Sequence, residues 1–263
     1  MIFIRLKQHP RYWHGKARMK QVVFDISNRG TGTLAKLLRE ECDVLNAPLS
    51  SQLPIIEQQE DIKLTAKPAM NISFVAVNTL HPALNDSRVR KALNYAINRQ
   101  KYPRFCLLRN RKPSLFCLTA FLLGLPKKDS TQLRYDRNYA IALLREAGYS
   151  KGLELTMSVP LEPRAYNPSP RKTAELIQAN LADVGIKLNL MTDDRYNRSE
   201  SDENIDLYLT GWIANTGDPD SFFRPLLSCD SKRVGLNVSS WCNPDFDFLL
   251  DLALEVDKKS VTV

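Results

Sequence analysis

The chain has 263 residues, 43% hydrophobic and 25% charged, which is typical of a globular protein with one large domain or two lobes. No apolar run reaches the 18 residues that a membrane span needs, since the most apolar stretch, Leu115–Leu125, has about 11. The net charge of +8 is uneven, with +10 over 85–137 and −9 over 193–257. This asymmetry indicates either two lobes of opposite field that attract a charged ligand, or two solvated faces.

Several functional classes lack their sequence signatures. There is no G-x-S-x-G, P-loop, HExxH or G-x-G-x-x-G motif, so nothing points to an enzyme. The five cysteines form no C-x-x-C pair and the three histidines do not cluster with them, which argues against a zinc site. Zinc-finger, RNP-like and helix-turn-helix patterns are also missing, so nucleic acid is not an expected partner. We expect neither a metal nor a cofactor.

The first third of the chain predicts short mixed elements. Lys20–Ser27 is typical of a strand, and Asn28–Gly30 of a turn. Thr33–Glu41 has leucines on one helical face. Asp43–Leu45 predicts a short strand, and Pro48–Gln59 a loop with a helical turn.

The clearest helix follows a predicted strand at Asn71–Thr79. Asn85 or Asp86 can cap it. Its apolar stripe has helical spacing and comprises Val89, Ala92, Leu93, Ala96 and Ile97. The pattern then degrades over 101–128, where prolines interrupt a mixture of basic and apolar residues.

Alternating helices and strands follow. Asp136–Ala147 predicts a helix that Gly148 ends, and Leu153–Val159 alternates as a strand does. Ser169 and Pro170 begin a helix, with serine as the N-cap, that ends at Gly185. A strand at Ile186–Met191 completes a pattern that predicts an α/β lobe with crossover connections.

The acidic last quarter begins with a polar loop at 193–203. Asp206–Trp212 predicts a buried strand, and Asn215–Pro219 a turn. Two helices are then predicted, one around Phe222–Leu227 and one at Pro244–Leu254. We interpret the Asp218/Asp220 pair in the turn as carboxylates that cap the following helix or bond to the backbone, and not as an acid–base dyad.

Six segments carry specific motifs in a fixed order: Pro10–Lys16 (PRYWHGK), Met70–Thr79, Pro82–Ile97 (PALNDSRVRKALNYAI), Asn167–Lys187 (ending VGIK), Gly211–Phe222 (GW…DPDSF) and Cys229 with Trp241–Pro244 (WCNP). Together they resemble bacterial extracellular solute-binding proteins of the dipeptide/oligopeptide family, and among them most the peptide-binding component of Sap-type ABC transport systems. The resemblance implies a type II periplasmic-binding-protein-like α/β fold. Two lobes would close around a peptide and present a surface to a membrane permease.

The resemblance also implies site residues. Trp212 and Phe74 would line the peptide cleft, although core packing is an open alternative for both. Many relatives carry aspartate three residues after the tryptophan, where it meets the peptide's α-ammonium; here Asn215 stands there, and Asp218 or Asp220 would have to compensate. The same resemblance implies a disulfide between Cys229 and Cys242. We expect a monomer.

The family pattern divides the chain into a partial lobe one (1–70), lobe two (71–209, atypical at 101–128) and a hinge crossing that returns towards lobe one (210–263). We therefore expect a truncated chain with lobe one incomplete and no signal peptide at its start. The family is periplasmic, and whether this chain is exported stays open. For 101–128 we expect either a compensated reading-frame shift or a divergent loop.

Two alternatives to peptide binding remain. The chain could be a non-functional fragment, which the missing lobe-one strands favour, or the same fold could bind haem or another non-peptide ligand. Folding and peptide-dependent stability distinguish the first alternative, and absorbance of the purified protein the second.

Overall fold

The computed structural model describes residues 2–26, 30–65, 70–99, 134–193, 204–233 and 236–255. Contacts divide the chain into two compact units, residues 1–66 and residues 67–263. Among the described helices, none is both long and apolar enough to span a bilayer. The atypical 101–128 segment, nearly all of the predicted loop at 193–203 and the first two residues of the predicted turn at Asn28–Gly30 lie outside the described residues.

Unit 1 contains a two-stranded antiparallel sheet and short helices. Strand β1 (Ile2–Lys7) pairs with β2 (Gln21–Ile26), and α1 (Thr31–Leu38) follows. A single 3-10 turn (Ser50–Gln52) leads into α2 (Leu53–Glu57). The predicted strand, helix and helical turn are therefore confirmed, with α1 shifted towards the N-terminus.

The short strand predicted at Asp43–Leu45 is wrong. The segment is irregular, and Val44 is 81% exposed. A strand needs a neighbour to hydrogen-bond with, and within the described residues β1 and β2 pair only with each other. The three-residue segment Asp43–Leu45 therefore has no neighbouring strand to pair with in the described residues.

The sheet of unit 2 has the order β3-β6-β4-β5. Its strands are β3 (Asn71–Val77), β4 (Leu153–Pro160), β5 (Ile186–Asp193) and β6 (Leu207–Ile213). Strand β4 is parallel to both β5 and β6, whereas β3 is antiparallel to β6. The predicted crossover is confirmed, because the chain leaves β4, forms a helix and returns as the parallel strand β5.

Four helices accompany this sheet: α3 (Pro82–Asn85), α4 (Ser87–Ala96), α5 (Arg137–Glu146) and α6 (Pro170–Ala182). All four share one buried core with the sheet. Its fully enclosed side chains include Leu84, Val89, Leu155, Met157, Leu181, Ile186, Leu207 and Leu209. The stripes of apolar residues that predicted these helices are therefore the faces that they bury.

The helix caps agree with two of three predictions. Asp86 accepts a hydrogen bond from the backbone N–H of Arg88 (2.8 Å), and Asp136 accepts one from Tyr139 (2.9 Å). Ser169 precedes α6 as predicted, but its side chain makes no capping bond. The buried amide oxygen of Asn167 instead accepts from the Ser169 N–H and the Thr173 hydroxyl, both at 3.2 Å.

The chain after β6 forms α7 (Asp220–Leu227), α8 (Cys229–Arg233) and α9 (Pro244–Glu255). These residues belong to unit 2 by contact. A second apolar cluster joins β3, β6 and α7 through Ile72, Ala214 and Phe222, with Phe74, Trp212 and Phe223 packed against it. The predicted helices around Phe222 and after Pro244 are confirmed.

Candidate functional site

The paired strands β3 and β6 have one face that packs into the core and one face that does not. Residues 75, 77, 207 and 209 pack into the helix-covered core. The alternate residues point the other way, because side chains on a strand alternate between faces. The register places Phe74 opposite Thr210 and Ile72 opposite Trp212 on this second face.

The second face opens into a cavity of about 660 Å³, within the size range of small-ligand sites. Its walls include Phe74, Thr210, Trp212, Phe222, Phe223 and Trp241. The structure therefore brings together two of the residues singled out in the sequence, Phe74 and Trp212, in one aromatic cavity.

Trp212 has a fixed orientation in that wall. Its indole Nε1–H donates to the backbone carbonyl of Ser221 at 2.8 Å, which ties β6 to the first turn of α7. The side chain is half-buried and packs against the Phe222 cluster. It therefore belongs to a local core and also contributes to the cavity wall.

Asn215 and Asp218 lie elsewhere. Both are exposed in the turn between β6 and α7, and neither is among the residues that line the cavity. The Asp218 carboxylate accepts the backbone N–H of Asp220 at 2.8 Å, and its carbonyl accepts the N–H of Ser221 at 3.1 Å. Asp218 thus bonds to backbone N–H groups at the start of α7, as the backbone-bonding interpretation expects, whereas the N-cap residue is Pro219 and no side chain caps the helix. Ligand contacts for Asn215 and Asp218 stay a prediction.

A cross-linked segment forms the wall opposite the sheet. Cys229 and Cys242 are joined by a disulfide with a Cα–Cα distance of 4.8 Å. Inside this loop the buried Asn237 amide donates to the carbonyls of Ser228 (3.2 Å) and Trp241 (2.7 Å). The loop is therefore held from within as well as at its ends.

Ion pairs fasten the helices behind this wall. Arg224 on α7 bonds the Asp220 carboxylate at 3.0 Å and reaches Asp251 on α9 at 2.9 Å. Hydrogen bonding to Asp220, and then to Asp251, raises the pKa of Arg224 above its usual value. The Arg224–Asp220 pair lies within α7, whereas the Arg224–Asp251 pair connects α7 to α9.

Sequence reasoning missed one contributor, Tyr166, in the loop between β4 and α6. It lines the cavity and packs directly on Gly211, where a Cβ would lie 2.3 Å from the Tyr166 ring and 2.3 Å from the Ile72 carbonyl oxygen. The glycine before Trp212 was the available signal, since a glycine inside a strand often marks such a close approach.

The described residues contain no cluster of three or more His, Cys, Asp or Glu side chains that could hold a metal ion. The cavity walls are mainly aromatic and aliphatic, with Arg90 as their charged member. Such a surface can pack apolar ligand groups and excludes water, and it offers no acid–base pair.

Residues 3–233 match the family model described as bacterial extracellular solute-binding proteins, family 5 Middle. The chain belongs to this family. Members of family 5 are solute-binding proteins of transport systems and not enzymes. The six motifs recognised in the sequence therefore identified the family correctly.

Individual family 5 proteins resemble the chain over nearly its whole length. It is 41% identical to the peptide transport periplasmic protein SapA of Salmonella typhimurium over 254 residues, which cover 96% of this chain and 46% of that protein. It is 42% identical to the probable ABC transporter periplasmic-binding protein SapA of Escherichia coli, again over 96% of this chain and 46% of that protein.

A solved structure shows the same relationship. The dipeptide-binding protein of Pseudoalteromonas sp. SM9913, in complex with Met-Leu, superposes with a TM-score of 0.84 and 35% identity over 97% of this chain and 51% of that one. The type II periplasmic-binding-protein fold is thereby confirmed. The chain spans about half the length of the family 5 proteins that it matches.

Proposed function

We propose that this chain binds peptides as part of the solute-binding component of an ABC transport system. The observation that carries the proposal is the match of 97% of the chain to a family 5 protein whose structure holds the dipeptide Met-Leu. The relatives named SapA are peptide transport proteins, which supports the same ligand class. The chain would bind and release its ligand without any catalytic step.

In this proposal the peptide lies extended and is held mainly by main-chain hydrogen bonds, so its sequence matters little. The aromatic cavity supports this role, because Phe74 and Trp212 offer an apolar wall to peptide side chains. Asn215 and Asp218 lie on the exposed turn that follows Trp212. There they would meet the positive end of the ligand.

The neutral amide at position 215 sets the expected strength of that contact. An amide oxygen can accept a hydrogen bond from an α-ammonium group, but a carboxylate forms a charge-assisted bond about twice as strong. Asp218 adds negative charge nearby, while its carboxylate also accepts the backbone N–H of Asp220, the first residue of α7. We therefore propose weak recognition of the free N-terminus compared with a variant that carries aspartate at 215.

The partners follow from the family. We propose that lobe two (71–209) and the crossing at 210–263 close around the peptide together with lobe one, and that the closed form docks on a membrane permease. The setting would be the periplasm, and the binding protein would act as a monomer. The SapA relatives, whose names describe them as periplasmic, support this assignment.

The test is a titration of the purified chain with Met-Leu, followed by calorimetry and thermal unfolding. A ligand at 100 times its dissociation constant stabilises the folded state by about 2.7 kcal/mol. Trp212→Ala should weaken binding roughly tenfold or more if the indole is a main contact. Trp13→Ala is the matched control, since Trp13 is 85% exposed in unit 1 and should leave affinity unchanged.

Two further ligand and protein changes address the N-terminus. Asn215→Asp should strengthen binding of Met-Leu and leave binding of N-acetyl-Met-Leu as it was. A folded, monomeric chain that binds no member of a di- to pentapeptide panel would refute the proposal. Soret absorbance in the protein as purified would instead favour haem as the ligand. Soluble aggregates whose thermal stability does not change with peptide would favour a non-functional fragment.

A further inference from the structure

The connection between β1 and β2 contains a closed turn with a tryptophan at its apex. The Gly15 N–H donates to the Tyr12 carbonyl at 3.0 Å, so Tyr12–Gly15 form a β-turn whose two central residues are Trp13 and His14. Gly15 has a φ of +94°, a conformation that glycine adopts without steric cost. The turn therefore presents Trp13 and His14 at the end of the hairpin.

Large side chains of this connection, residues 8–20 and here called the hairpin tip, are exposed. Trp13 is 85% exposed, Tyr12 is 50% exposed and Met19 is 65% exposed. The centroid of the Trp13 ring lies 5.7 Å from that of Tyr12 and 5.0 Å from that of His14. Exposed tryptophan and tyrosine are typical of the boundary between hydrocarbon and water, because an apolar ring carries a polar N–H or O–H group.

The hairpin is strongly basic. Residues 2–26 contain one acidic residue, Asp25, and its carboxylate forms an ion pair with Lys36. The same residues contain six exposed cations, which are Arg5, Lys7, Arg11, Lys16, Arg18 and Lys20. Such a cluster attracts an anionic surface over a Debye length of about 8 Å at physiological ionic strength.

One face of the hairpin is apolar at every position. Side chains alternate between the faces of a strand, so the register places three cross-strand pairs on this face. The pairs are Ile2–Ile26, Ile4–Phe24 and Leu6–Val22. All of these side chains except Val22 are 51–69% exposed. An exposed apolar face beside polar residues marks an interaction surface.

These features together indicate what kind of partner fits. A nucleic acid would neutralise the cations, but its phosphate backbone offers no hydrocarbon to the apolar face. A second copy of the hairpin would bring the same positive charge and would be repelled. A bilayer that contains anionic lipid has negative charge at its surface and hydrocarbon beneath it. Its chemistry therefore matches both the cations and the apolar face.

We propose that the β1–β2 hairpin docks on the surface of a bilayer that contains anionic lipid. Trp13 and Tyr12 would lie at the level of the headgroups, the apolar face would contact the acyl boundary, and the cations would pair with lipid phosphates. Such docking is reversible, because it combines an apolar contact with charge and uses no membrane-spanning segment. The proposal rests on residues of unit 1 and does not depend on the peptide ligand proposed above.

The test measures partitioning of the whole chain onto lipid vesicles by co-flotation. Vesicles of phosphatidylcholine mixed with phosphatidylglycerol are compared with vesicles of phosphatidylcholine alone. The chain should bind the anionic vesicles, and added salt should weaken binding because it screens the charges. Trp13→Ala should lower the partition coefficient about tenfold, since the apolar contact of the indole is lost. Phe248→Ala is the matched control, because Phe248 is 66% exposed and lies in unit 2.

Charge variants test the contribution of the cations separately. Lys16→Gln and Arg18→Gln should each lower the partition coefficient about fivefold, because each removes one cation from the hairpin tip. Lys172→Gln is the matched control, since Lys172 is an exposed residue of α6 and its replacement changes the net charge equally. Affinity for Met-Leu should be the same in Trp13→Ala as in the parent chain, so failure of membrane docking is distinguishable from failure of peptide binding.

Four outcomes would overturn the proposal. The first is a folded chain that does not float with anionic vesicles. The second is an equal loss of partitioning in Lys16→Gln and Lys172→Gln, which would assign binding to the net charge of the chain. The third is tighter binding to a DNA oligonucleotide than to anionic vesicles, weakened by Trp13→Ala, which would assign the hairpin tip to a nucleic acid. The fourth is dimerisation that Trp13→Ala abolishes, without vesicle binding, which would assign the hairpin to a second copy.

Discussion

The two sheets in the described part of the chain consist of similar residue types but have opposite surroundings. Every residue of β1 is exposed, and Ile2, Ile4 and Leu6 are 69%, 51% and 53% accessible. In β6 the first four residues, Leu207–Thr210, are all buried. Both strands are rich in residues that favour strands. The comparison shows that β propensity is shared, whereas burial, and with it most of the stabilising free energy, belongs to the four-stranded sheet.

The difference in burial arises because the sheet of unit 2 is covered by a layer of helices, whereas the β1–β2 sheet is exposed. An isolated two-stranded hairpin is marginally stable in water, whereas a sheet that packs against helices is not. The register places Ile2, Ile4 and Leu6 on one face of the hairpin with their partners Ile26, Phe24 and Val22. The sheet of unit 2 instead buries one face under α4, α5 and α6. We expect local opening in unit 1 at lower free energy than in unit 2.

The largest expected effect comes from one leucine in each sheet. Leu155→Ala in β4 removes a side chain that is 1% exposed and should destabilise unit 2 by about 2–5 kcal/mol. Leu6→Ala in β1 removes one that is 53% exposed and should cost less than about 0.5 kcal/mol. Urea unfolding followed by circular dichroism measures both. Equal losses would show that the hairpin is buried in solution and would end the comparison.

The disulfide provides the second test. Replacing both Cys229 and Cys242 by serine removes a cross-link 13 residues apart in sequence, and it should destabilise unit 2 by roughly 2–4 kcal/mol. Cys42→Ser in unit 1 is the control, because that cysteine is free. Thermal unfolding with and without reductant should show the loss only where the disulfide is present. If the reductant also lowered the unfolding temperature of the double variant, the effect of the reductant could not be assigned to this disulfide.

The sequence predicted what depends on local patterning. Strands β2 to β6, the longer helices, the Asp86 and Asp136 caps and the two helix-ending glycines, Gly148 and Gly185, follow from spacing and residue type, whereas β1 was not predicted. Both glycines have the positive φ (93° and 86°) that this position requires. The short helices α3 and α8 were missed, because one turn carries too few residues to show a period.

The cavity was only partly predictable. Trp212 and Phe74 came from the family resemblance, and their meeting in one cavity depends on the β3–β6 register. Tyr166 and Val238 reach the cavity through contacts between residues far apart in sequence. Ser169 was predicted as the N-cap of α6 but makes no capping bond; the side chain that bonds at this helix end is Asn167, which accepts from the Ser169 N–H and the Thr173 hydroxyl. Competition of this kind between polar neighbours is decided by tertiary geometry and leaves no trace in spacing.

One glycine in each unit gives a third comparison, with smaller expected changes in stability. Gly211→Ala in β6 would place a Cβ 2.3 Å from both the Ile72 carbonyl and the Tyr166 ring, and such overpacking should cost about 1–3 kcal/mol. Gly32→Ala in α1 meets no atom within 4 Å and should stabilise the helix by up to about 1 kcal/mol. In differential scanning calorimetry, Gly211→Ala should therefore have a lower unfolding temperature than the parent chain, and Gly32→Ala a higher one. A stabilised Gly211→Ala would mean that Tyr166 does not lie on β6.

The smallest expected effects come from one ion pair in each unit, and the two pairs lose their contribution to stability at opposite ends of the pH scale. Hydrogen bonds from Arg88 lower the pKa of Asp86 in unit 2, so its contribution is present above the unfolded value of 3.8 and is lost as pH falls through the lower folded value. The hydrogen bond to Asp25 raises the pKa of Lys36 in unit 1, so that contribution is present below 10.5 and is lost as pH rises through the higher folded value.

Thermal unfolding of Asp86→Asn and Lys36→Met against the parent chain measures these contributions. The deficit of Asp86→Asn should shrink on acidification below about pH 4, because the parent carboxylate then becomes neutral as well. The deficit of Lys36→Met should instead shrink in alkali above about pH 10.5. Both pairs are solvent-accessible, so each deficit should also diminish in high salt. A deficit in Lys36→Met that stayed unchanged in strong alkali would contradict the pairing with Asp25, because the parent lysine is neutral there and no longer forms the ion pair.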